Sequence, residues 1–486
     1  MPSRSPELRP HRVEDFVWDI PVGYVDGMRA PGRVFASEEL LAKAVDDRAV
    51  EQVANVATLP GIVGRSLAMP DIHWGYGFPI GGVAATDVAG DGVVSPGGVG
   101  FDIGCGVRLL RSELEVGEAR DRMRELVDAL GRRVPRGVGG KGAMAVRRED
   151  VTDVLVEGTR YPVANGMGWD EDVEFAEDGG VLSGAQPGEI SERAIERGAP
   201  QLGSLGAGNH FLEVQHVDQV RDPEAAGALG LWEGQICVML HSGSRGLGHQ
   251  TCTDHLRVID RLMHTTGITV PDRQLACVPF EHRAASSYMG AMNAAGNFAR
   301  ANRQVLTHQA REAFAQVFRR SARDLGLSVV YDVAHNLAKV ERHEVDGVTK
   351  EVCVHRKGAT RALGPHHPDL PSEYRNVGQP VIVPGSMGTP SFVLVGMSSS
   401  ARAFSSTCHG AGRAMSRTKA KKVMTGEQLR KQLGRDGIHL ARSQLKLLSE
   451  EAPYAYKDPS EIVAVCEGAG LSKVVARLRP IGVVKG

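Results

Sequence analysis

Residues 405–413 place a histidine where it could react with a phosphate. His409 follows a run of small residues and precedes Gly410 and Gly412, so a bulky substrate could approach its imidazole closely. Arg413, four residues after the histidine, is suited to hold a phosphate through two parallel hydrogen bonds. The pattern indicates a histidine that attacks phosphorus, and its alternative is a glycine turn beside a buried histidine.

Residues 100–107 bring a carboxylate and a thiol together between glycines. Asp102 and Cys105 are three positions apart, so both side chains could reach one cation, and a thiolate sulfur can bridge two cations. The motif therefore predicts two metal ligands. Its alternative is a turn that buries an unreactive cysteine.

Residues 206–213 begin with a glycine bend. Polar side chains that could bind a ligand come directly after this bend. His210 could coordinate a metal ion, and Glu213 could accept hydrogen bonds from the edge of a nucleobase. Asn209 is also typical of a helix start, where its side chain caps the first turn. A binding loop and a helix start therefore remain as alternatives.

Two more histidines end apolar runs. The runs at 236–240 and 328–333 predict buried strands, and His241 and His335 stand just beyond their ends. Open sheets bind ligands at the carboxyl ends of their strands. The repetition favours two ligand-binding histidines over two histidines that are satisfied in the core.

Three loops carry groups that could hold the phosphates and base of a nucleotide. The loop 242–245 has two serines and Arg245, which suit phosphate contacts, although such loops are common. The loop 354–361 has four basic side chains, and its alternative is a solvated run of charge. The loop 384–391 offers N–H groups and hydroxyls, and its alternative is ordinary turn chemistry. No glycine–lysine pair has the spacing of a P-loop, so a nucleotide would be held in another way.

The metal-binding candidates form a set with a recognisable chemistry. One aspartate, one cysteine and three histidines in glycine-framed motifs suit a site for two metal ions. Ligand softness favours zinc, iron or manganese, and the residues alone do not choose among them.

The composition argues against several classes of protein. The chain has no run of eighteen apolar residues and its N-terminus has no apolar signal core, so we expect a cytoplasmic protein without a membrane partner. A formal net charge of −1 gives no overall bias toward nucleic acid, and 5% aromatic residues do not indicate a stacking platform for single strands. Seven cysteines without a C-x-x-C pair argue against a disulfide framework or a structural zinc site.

Secondary structure must bring these distant motifs together. Periodicity predicts helices over 37–58, 116–130, 288–325 and 424–448, and a short helix near 189–198 within loops from 131 to 200. Apolar runs predict strands over 236–240, 328–333, 351–355, 380–383 and 392–395, and short strands between 68 and 110. Length suggests about three domains, but the candidates extend from Asp71 to Lys485 without a repeat or linker. The sequence therefore predicts one interleaved domain over 1–486.

Taken together, the motifs closely resemble those of the RtcB family of RNA ligases, the tRNA-splicing ligases. The similar stretches cover most of the chain and keep the family's order: 69–83, 100–107, 203–215, 241–250, 332–336, 354–361, 384–391, 405–413 and 453–458. Lys485 matches the near-terminal lysine of the family. No matched site residue departs from the family pattern.

The resemblance implies a mixed α/β (α+β) fold of the RtcB type, with mixed sheets flanked by helices around a central dinuclear metal site. It implies two Mn²⁺ ions as cofactors. Asp102 and His210 would hold one ion, His241 and His335 the other, and Cys105 would bridge them. His409 is the implied catalytic nucleophile, which takes GMP from GTP.

The resemblance also implies a nucleotide site in which Glu213 and Lys485 read guanine and Tyr456 packs nearby. The other residues implied to line the nucleotide are Asn209, His210, Phe211, His335, Asn336, Pro384, Gly385, Ser386, Met387, Ser391, His409, Gly410, Ala411 and Gly412. Arg245, Arg413 and Arg417 are implied to hold phosphate or RNA.

The activity implied by the resemblance is GTP-dependent RNA ligation in tRNA splicing or RNA repair. A 3′-phosphate or 2′,3′-cyclic phosphate end is joined to a 5′-hydroxyl end through a histidine–GMP intermediate and an RNA end capped as 3′-pp-G. The implied partners are RNA, namely tRNA halves or broken ends, GTP and an archease-type activator. Two alternatives are a metal-dependent phosphoesterase or nuclease and a non-catalytic RNA-binding protein.

Overall fold

The structure is a computed structural model that describes residues 9–137, 139–442 and 448–486. In this part of the chain, most strands belong to two large sheets, and helices pack against them. The mixed α/β class predicted from the sequence is confirmed.

The first sheet consists of N-terminal strands and a hairpin from the middle of the chain. Its strands, in spatial order, are β1 (His11–Glu14), β2 (Val17–Ile20), β3 (Gly32–Phe35), β4 (Ile62–His73), β5 (Ile80–Asp87), β13 (Val348–Lys357) and β12 (Asn336–Val345). Neighbouring strands are antiparallel except β3 and β4. The β12–β13 hairpin turns at Asp346 and Gly347, which both have positive φ, as a tight hairpin turn requires.

The second sheet carries most of the predicted ligands. Its strands, in spatial order, are β11 (Ser328–Ala334), β7 (Gly106–Glu115), β9 (Gln235–Ser242), β8 (Phe211–Val220), β19 (Ser472–Lys485), β16 (Ser391–Gly396) and β15 (Pro380–Val383), and β18 (His439–Leu440) pairs with β19 in parallel. Every residue of β9 is buried. Ile236, Val238 and Leu240 enter the core on one face, and Cys237 and Met239 enter it on the other. Burial on both faces explains the continuous apolar run.

Two short strand pairs complete the sheet structure of the described residues. They are β6 (Val93–Val94) with β10 (Val278–Pro279), and β14 (Ala359–Arg361) with β17 (Ser406–Cys408). The second pair leads directly to His409, so it fixes the position of this histidine relative to the first sheet.

The helices of the described residues surround the sheets. They are α1 (Glu38–Asp46), α2 (Ala49–Val56), α3 (Val116–Arg120), α4 (Met123–Arg133), α5 (Val151–Glu157), α6 (Arg160–Ala164), α7 (Glu171–Glu174), α8 (Glu192–Gly198), α9 (Pro223–Leu229), α10 (Arg245–Thr266), α11 (Arg283–Phe318), α12 (Arg417–Val423), α13 (Gly426–Arg435) and α14 (Pro459–Gly468). Short 3₁₀ turns occupy Pro96–Gly98, Arg148–Asp150, Glu177–Gly180, Pro187–Glu189, Ala199–Gln201, Arg273–Leu275, Ser372–Tyr374, Ser398–Ala403, Ser449–Glu451 and Pro453–Ala455.

Several predicted helices have different boundaries. The predicted helix 37–58 is two helices, because Arg48 takes a left-handed conformation with φ 62° between α1 and α2. The predicted helix 116–130 is likewise divided into α3 and α4. The long predicted helix 288–325 begins earlier, where the His282 side chain accepts a hydrogen bond from the backbone of Ala284, and it ends at Phe318.

Two other regions also differ from prediction. The predicted helix 424–448 is reduced to α13 followed by β18, and its residues 443–447 lie outside the described part of the chain. The region 131–200 contains the predicted short helix, as α8, but also α5, α6 and α7, which are too short to produce a clear periodicity.

The composition argued against a membrane span and against a disulfide framework. None of the helices in the described ranges has the length and apolar character needed to cross a bilayer. All seven cysteines are described, and each is buried and free of a disulfide bond.

Candidate active site

A cavity of about 230 Å³ is lined by residues from both large sheets. Most of the site residues implied by the resemblance line it: Asp102, Cys105, Asn209, Phe211, His241, His335, Asn336, Pro384, Gly385, Ser386, His409, Gly410, Ala411, Gly412, Arg413, Arg417, Tyr456 and Lys485. His210, Glu213, Arg245, Met387 and Ser391 are not part of the lining.

Five predicted metal ligands converge, and we name them the ligand cluster: Asp102, Cys105, His210, His241 and His335. The Cys105 sulfur lies 3.3 Å from Nε2 of His210 and 3.3 Å from Nε2 of His241. Nε2 of His241 lies 3.3 Å from Nε2 of His335. Oδ2 of Asp102 lies 3.0 Å from Nε2 of His210. The five donor atoms therefore form a continuous chain of short contacts.

The strand order explains why these ligands meet. In the second sheet, β11, β7, β9 and β8 are consecutive antiparallel neighbours. The end of β11, the start of β7, the end of β9 and the start of β8 therefore share one edge. His335 follows β11, Cys105 precedes β7, and His210 precedes β8. The structure excludes a helix start after Asn209, because a strand begins at Phe211.

The electrostatics of the ligand cluster suit a cation. Burial lowers the pKa of His241 and of His335 well below the usual value, so both imidazoles are neutral and can donate lone pairs. Burial opposes the charge of Asp102, but the hydrogen bond from His210 and the charges of His210 and Arg245 together outweigh it, and the pKa falls to about 2. Burial raises the pKa of the Cys105 thiol, which a bound metal ion would reverse.

The donor set therefore fits metal ions. Imidazole nitrogen atoms, a sulfur and a carboxylate lie at contact distance from one another. The side-chain donors of Cys105, His210 and His241 all lie within 4.8 Å of one another. Mixed nitrogen, sulfur and oxygen ligands suit a transition-metal ion, and a thiolate can bridge two ions.

Buried polar residues of α11 fix the loops that carry the ligands. Arg303 donates hydrogen bonds to the carbonyl oxygens of Gly104 and Ser242, which adjoin Cys105 and His241, at 2.8 and 3.1 Å. Its guanidinium also pairs with Asp332 at 2.8 Å, on the strand that leads to His335. These supports were not predicted from the sequence. The signal was the run of asparagine, arginine and glutamine inside an alanine-rich helix.

His409 is held by the buried carboxylate of Asp71, which was among the candidate residues but had no predicted role in the site. Oδ2 of Asp71 lies 2.5 Å from Nδ1 of His409 and accepts a hydrogen bond from its backbone N–H at 3.1 Å. Asp71 is completely buried. Its available signal was its place in the motif 69–83, close to the other candidates. The ring of His409 lies 4.8 Å from the ring of His335, centroid to centroid.

Two glycines allow His409 to lie close to Asp71. Gly412 has a φ of +67°, and a Cβ there would lie 2.3 Å from the carbonyl oxygen of Asp71. Gly358 has a φ of +61°, and a Cβ there would lie 3.1 Å from Cε1 of His409. Side chains at either position would push His409 away from Asp71.

A second group of charged residues surrounds Glu451, and we name it the arginine cluster: Arg413, Arg417, Glu451, Tyr456 and Lys485. Glu451 accepts from Arg413 at 2.9 Å, from Arg417 at 2.8 Å and from the hydroxyl of Tyr456. Burial opposes its charge, but Lys485 and these partners lower the pKa of Glu451. Glu451 was not predicted, because no motif marks a lone buried carboxylate.

The remaining predicted nucleotide residues lie behind the cavity surface. Glu213 is buried, accepts a hydrogen bond from Gln215 at 2.7 Å, and leaves Oε1 without a partner. Burial raises its pKa to about 7, although Gln215 and Lys485 oppose this shift. Ser391 accepts from the backbone of Gly385 at 3.0 Å, and Met387 packs into an apolar cluster. These residues support the cavity wall.

The basic loop 354–361 is neither a solvated run of charge nor a set of phosphate contacts. His355, Arg356, Lys357 and Arg361 are all buried. Arg356 pairs with Glu341 at 2.7 Å, and the amide of Ser95 donates to His355 at 3.1 Å. Arg245 is partly buried, and its Nε donates to Ser204 at 3.3 Å. Its neighbour Ser244 donates its backbone N–H to Asp102.

Comparisons with known proteins point to one family. A family model described as tRNA-splicing ligase RtcB matches residues 52–486. A tRNA-splicing ligase RtcB of Thermococcus kodakarensis is 53% identical over 476 residues, which cover 98% of this chain and 98% of that protein. An RNA-splicing ligase RtcB of Mycobacterium tuberculosis is 55% identical over 437 residues, which cover 90% of this chain and 100% of that protein.

Proposed function

Since the chain belongs to the RtcB family of tRNA-splicing ligases, we propose that it is an RNA ligase that acts in tRNA splicing or RNA repair. In this proposal it joins a 3′-phosphate or 2′,3′-cyclic phosphate end to a 5′-hydroxyl end and uses GTP as co-substrate. Its whole length works as one catalytic unit, because residues of both sheets line a single cavity.

The position of His409 carries the proposal. Its Nδ1 faces the buried carboxylate of Asp71 at 2.5 Å, which favours the proton on Nδ1 and leaves the lone pair on Nε2. Nε2 attacks the α-phosphorus of GTP, the bond to the β-phosphate breaks, and pyrophosphate leaves. The imidazole gains positive charge as the N–P bond forms, and Asp71 stabilises that charge.

The ligation then needs two further transfers at phosphorus. An oxygen of the RNA 3′-phosphate attacks the GMP phosphorus and the bond to His409 breaks, which gives an RNA end with a 3′-pp-G cap. The 5′-hydroxyl attacks the RNA phosphate of that cap, loses its proton, and GMP leaves. A cyclic phosphate end is first opened by water to the 3′-phosphate.

Mn²⁺ ions are the proposed cofactors, held by the ligand cluster. When bound, they would supply positive charge that stabilises phosphoryl oxygens and favours ionisation of a hydroxyl. Arg413, which lines the same cavity as His409, would hold a phosphate, and Arg245 and Arg417 would contact RNA or phosphate.

Guanine recognition is proposed for the wall that contains Lys485. Its Nζ lies 5.6 Å from the centre of the Phe211 ring, and Tyr456 lies in the same arginine cluster. Lys485 would donate to the guanine carbonyl, and the carboxylate of Glu213 would accept from guanine N–H groups once a nucleotide reaches it. An archease-type activator remains an expected partner, whose effect would be faster turnover.

The proposal is tested by GTP labelled in its α-phosphate, together with Mn²⁺ and an RNA pair that carries a 3′-phosphate and a 5′-hydroxyl. We expect the wild-type protein to become labelled and to join the RNA, and His409→Ala to do neither. His264→Ala, a substitution at an exposed histidine on α10, serves as the control.

Each alternative gives a different result. Labelling that persists in His409→Ala would exclude this histidine as the nucleophile. RNA cleavage or dephosphorylation without GTP would instead indicate a metal-dependent phosphoesterase or nuclease. RNA binding without any reaction would indicate a non-catalytic RNA-binding protein.

A further inference from the structure

Lys457 is a buried lysine that no step of the proposed mechanism uses. It is only 7% exposed, and a buried ammonium is costly unless hydrogen bonds and nearby charges compensate it. Its Nζ donates to the carbonyl oxygen of Ile72 and, at 3.5 Å, to that of Pro70. These two residues flank Asp71, whose carboxylate faces His409. The side chain of Lys457 therefore holds the end of β4 that carries this carboxylate.

The backbone of Lys457 is tied to the loop that follows His409. Its N–H donates to the carbonyl oxygen of Gly412 at 3.0 Å. Gly412 in turn lies directly against the backbone of Asp71, because a Cβ there would be 2.3 Å from the Asp71 carbonyl oxygen. Lys457 therefore contacts both chain segments that form the pair of Asp71 and His409.

Asp71 is a buried carboxylate with few hydrogen-bond partners. Its Oδ2 faces His409, and its Oδ1 has no hydrogen-bond partner among the described residues. A buried carboxylate needs a positive charge nearby to offset its lost hydration. Burial lowers the pKa of Lys457 to about 8, and the charges of Asp71 and Asp47 oppose that shift. The ammonium is therefore charged at neutral pH and can compensate Asp71.

We propose that Lys457 is a positioning residue for the nucleophile, because it holds Asp71 against Nδ1 of His409 and supplies the positive charge that this carboxylate lacks. The inference rests on the proposed function and assigns a residue outside the cavity lining to its first step. Loss of Lys457 should slow the formation of the bond between His409 and GMP without weakening the binding of GTP. The last step forms no bond to His409, so it should not depend on Lys457.

The test compares two reactions of one preparation with Mn²⁺ present. Self-labelling by GTP labelled in its α-phosphate needs His409 as nucleophile, whereas joining an RNA end that already carries the 3′-pp-G cap to a 5′-hydroxyl end does not. Lys457→Met keeps the length of the side chain and removes its charge and its donor. We expect the maximal rate of self-labelling to fall about 100-fold. The GTP concentration that gives half this rate, and the rate of joining, should each change less than about twofold.

Lys43→Met is the control, because Lys43 is a half-exposed lysine on α1 whose ammonium pairs with Glu39. This variant should be labelled at the wild-type rate. Wild-type labelling of Lys457→Met would overturn the proposed role. Equal losses of labelling and of joining in Lys457→Met would also overturn it, since they would show that the lysine only supports the fold.

A double-mutant cycle tests whether the lysine acts through the carboxylate. Asp71→Asn alone should slow self-labelling. The addition of Lys457→Met to Asp71→Asn should slow it further by less than about twofold, because two residues that act as one unit are not additive. Losses that multiply in the double variant would show that Lys457 acts by another route, which would contradict the proposal.

A second pair of variants carries the test if Lys457→Met does not fold. Lys457→Arg keeps a positive charge and hydrogen-bond donors, whereas Lys457→Gln keeps donors only. The arginine variant should be labelled about tenfold faster than the glutamine variant. Equal rates in these two variants would show that the charge at this position has no role.

Failure of the proposed function gives a different result from failure of this inference. A wild-type protein that GTP does not label would contradict the proposed ligase and, with it, the role of Lys457. A wild-type protein that is labelled and joins RNA, while the Lys457 variants are labelled at the same rate, would contradict the role of Lys457 alone.

Discussion

Most residues of the ligand cluster and of the arginine cluster line the same cavity, but the buried polar groups of the two clusters are stabilised in opposite ways. In the ligand cluster, the neutral imidazole nitrogen atoms of His241 and His335 face each other at 3.3 Å. In the arginine cluster, Glu451 neutralises Arg413 and Arg417 directly.

The ligand cluster therefore needs a bound cation, whereas the charges of the arginine cluster are already paired within the protein. Convergent lone pairs are stabilised when a metal ion occupies the point that they share. A buried carboxylate with two guanidinium partners is already satisfied, so its loss, rather than loss of metal, is costly. The two clusters should therefore respond to different perturbations.

The largest expected effect is on the ligand cluster. Cys105→Ala removes the sulfur that contacts both His210 and His241, so we expect loss of bound metal and of ligation. Mn²⁺ at about 100 times its Kd should stabilise the wild-type protein by about 2.7 kcal/mol and should not stabilise this variant. Elemental analysis and thermal unfolding with and without Mn²⁺ measure both effects.

Cys277→Ala is the control for that experiment, because it removes another buried thiol that lies in a separate apolar cluster. It should keep the response to Mn²⁺. Wild-type metal content in Cys105→Ala would show that the sulfur is not a ligand.

The next largest effect is on the arginine cluster. Glu451→Gln leaves two guanidinium groups without their carboxylate and should lower the free energy of unfolding by about 3 kcal/mol, whether or not Mn²⁺ is present. Urea unfolding measures the change. The adjacent Glu450→Gln loses only a pair with Lys421, which is 36% exposed, and should cost less than about 1 kcal/mol. Equal losses in the two variants would remove the distinction between the clusters.

A pH experiment tests the proposed recognition of guanine by Glu213. Because burial raises the pKa of Glu213 to about 7, its carboxyl is protonated as the pH falls below that value and then no longer accepts two guanine N–H bonds. The preference for GTP over ATP should drop about tenfold from about pH 8 to about pH 6. Competition labelling measures the preference, and Glu213→Gln should give a flat profile. A pH-dependent preference that survives in Glu213→Gln would assign the titration to another group.

The smallest effect distinguishes the two arginines. The Arg413 side chain is 19% exposed and that of Arg417 is 53% exposed. Solvent screens the more exposed pair, so Arg417→Lys should cost less than about 1 kcal/mol, and Arg413→Lys should cost more. Thermal unfolding of the two variants ranks them, and the reverse order would show that exposure does not decide the strength of these pairs.

Much of the candidate site could be predicted because its histidines stand in short sequence motifs, next to glycines or at the ends of apolar strands. The motifs around Asp102, His210, His241, His335 and His409 each have glycine or strand context in the sequence, and the structure brings all five residues together. Helix boundaries were harder to predict. The break at Arg48 between α1 and α2 depends on a left-handed residue that periodicity does not reveal.

The residues whose roles in the site were not predicted share a physical reason. Asp71, Arg303 and Glu451 act through contacts with residues more than thirty positions away, such as Asp71 with His409 and Arg413 with Glu451. The local sequence around a buried carboxylate or arginine does not identify its partner, because that partner can stand anywhere in the chain. The roles of these three residues became clear only from their burial and pairing.

The sequence by itself determined which side chains could do chemistry, the mixed α/β class and the family, because these follow from residue types and short-range order. The tertiary structure decided which of these side chains meet. Antiparallel pairing places alternate strand starts and ends on one edge, so His210, His241 and His335 converge there with Cys105. Burial of Glu213 and Met387 behind the cavity wall was also decided at this level, since burial depends on packing between distant segments.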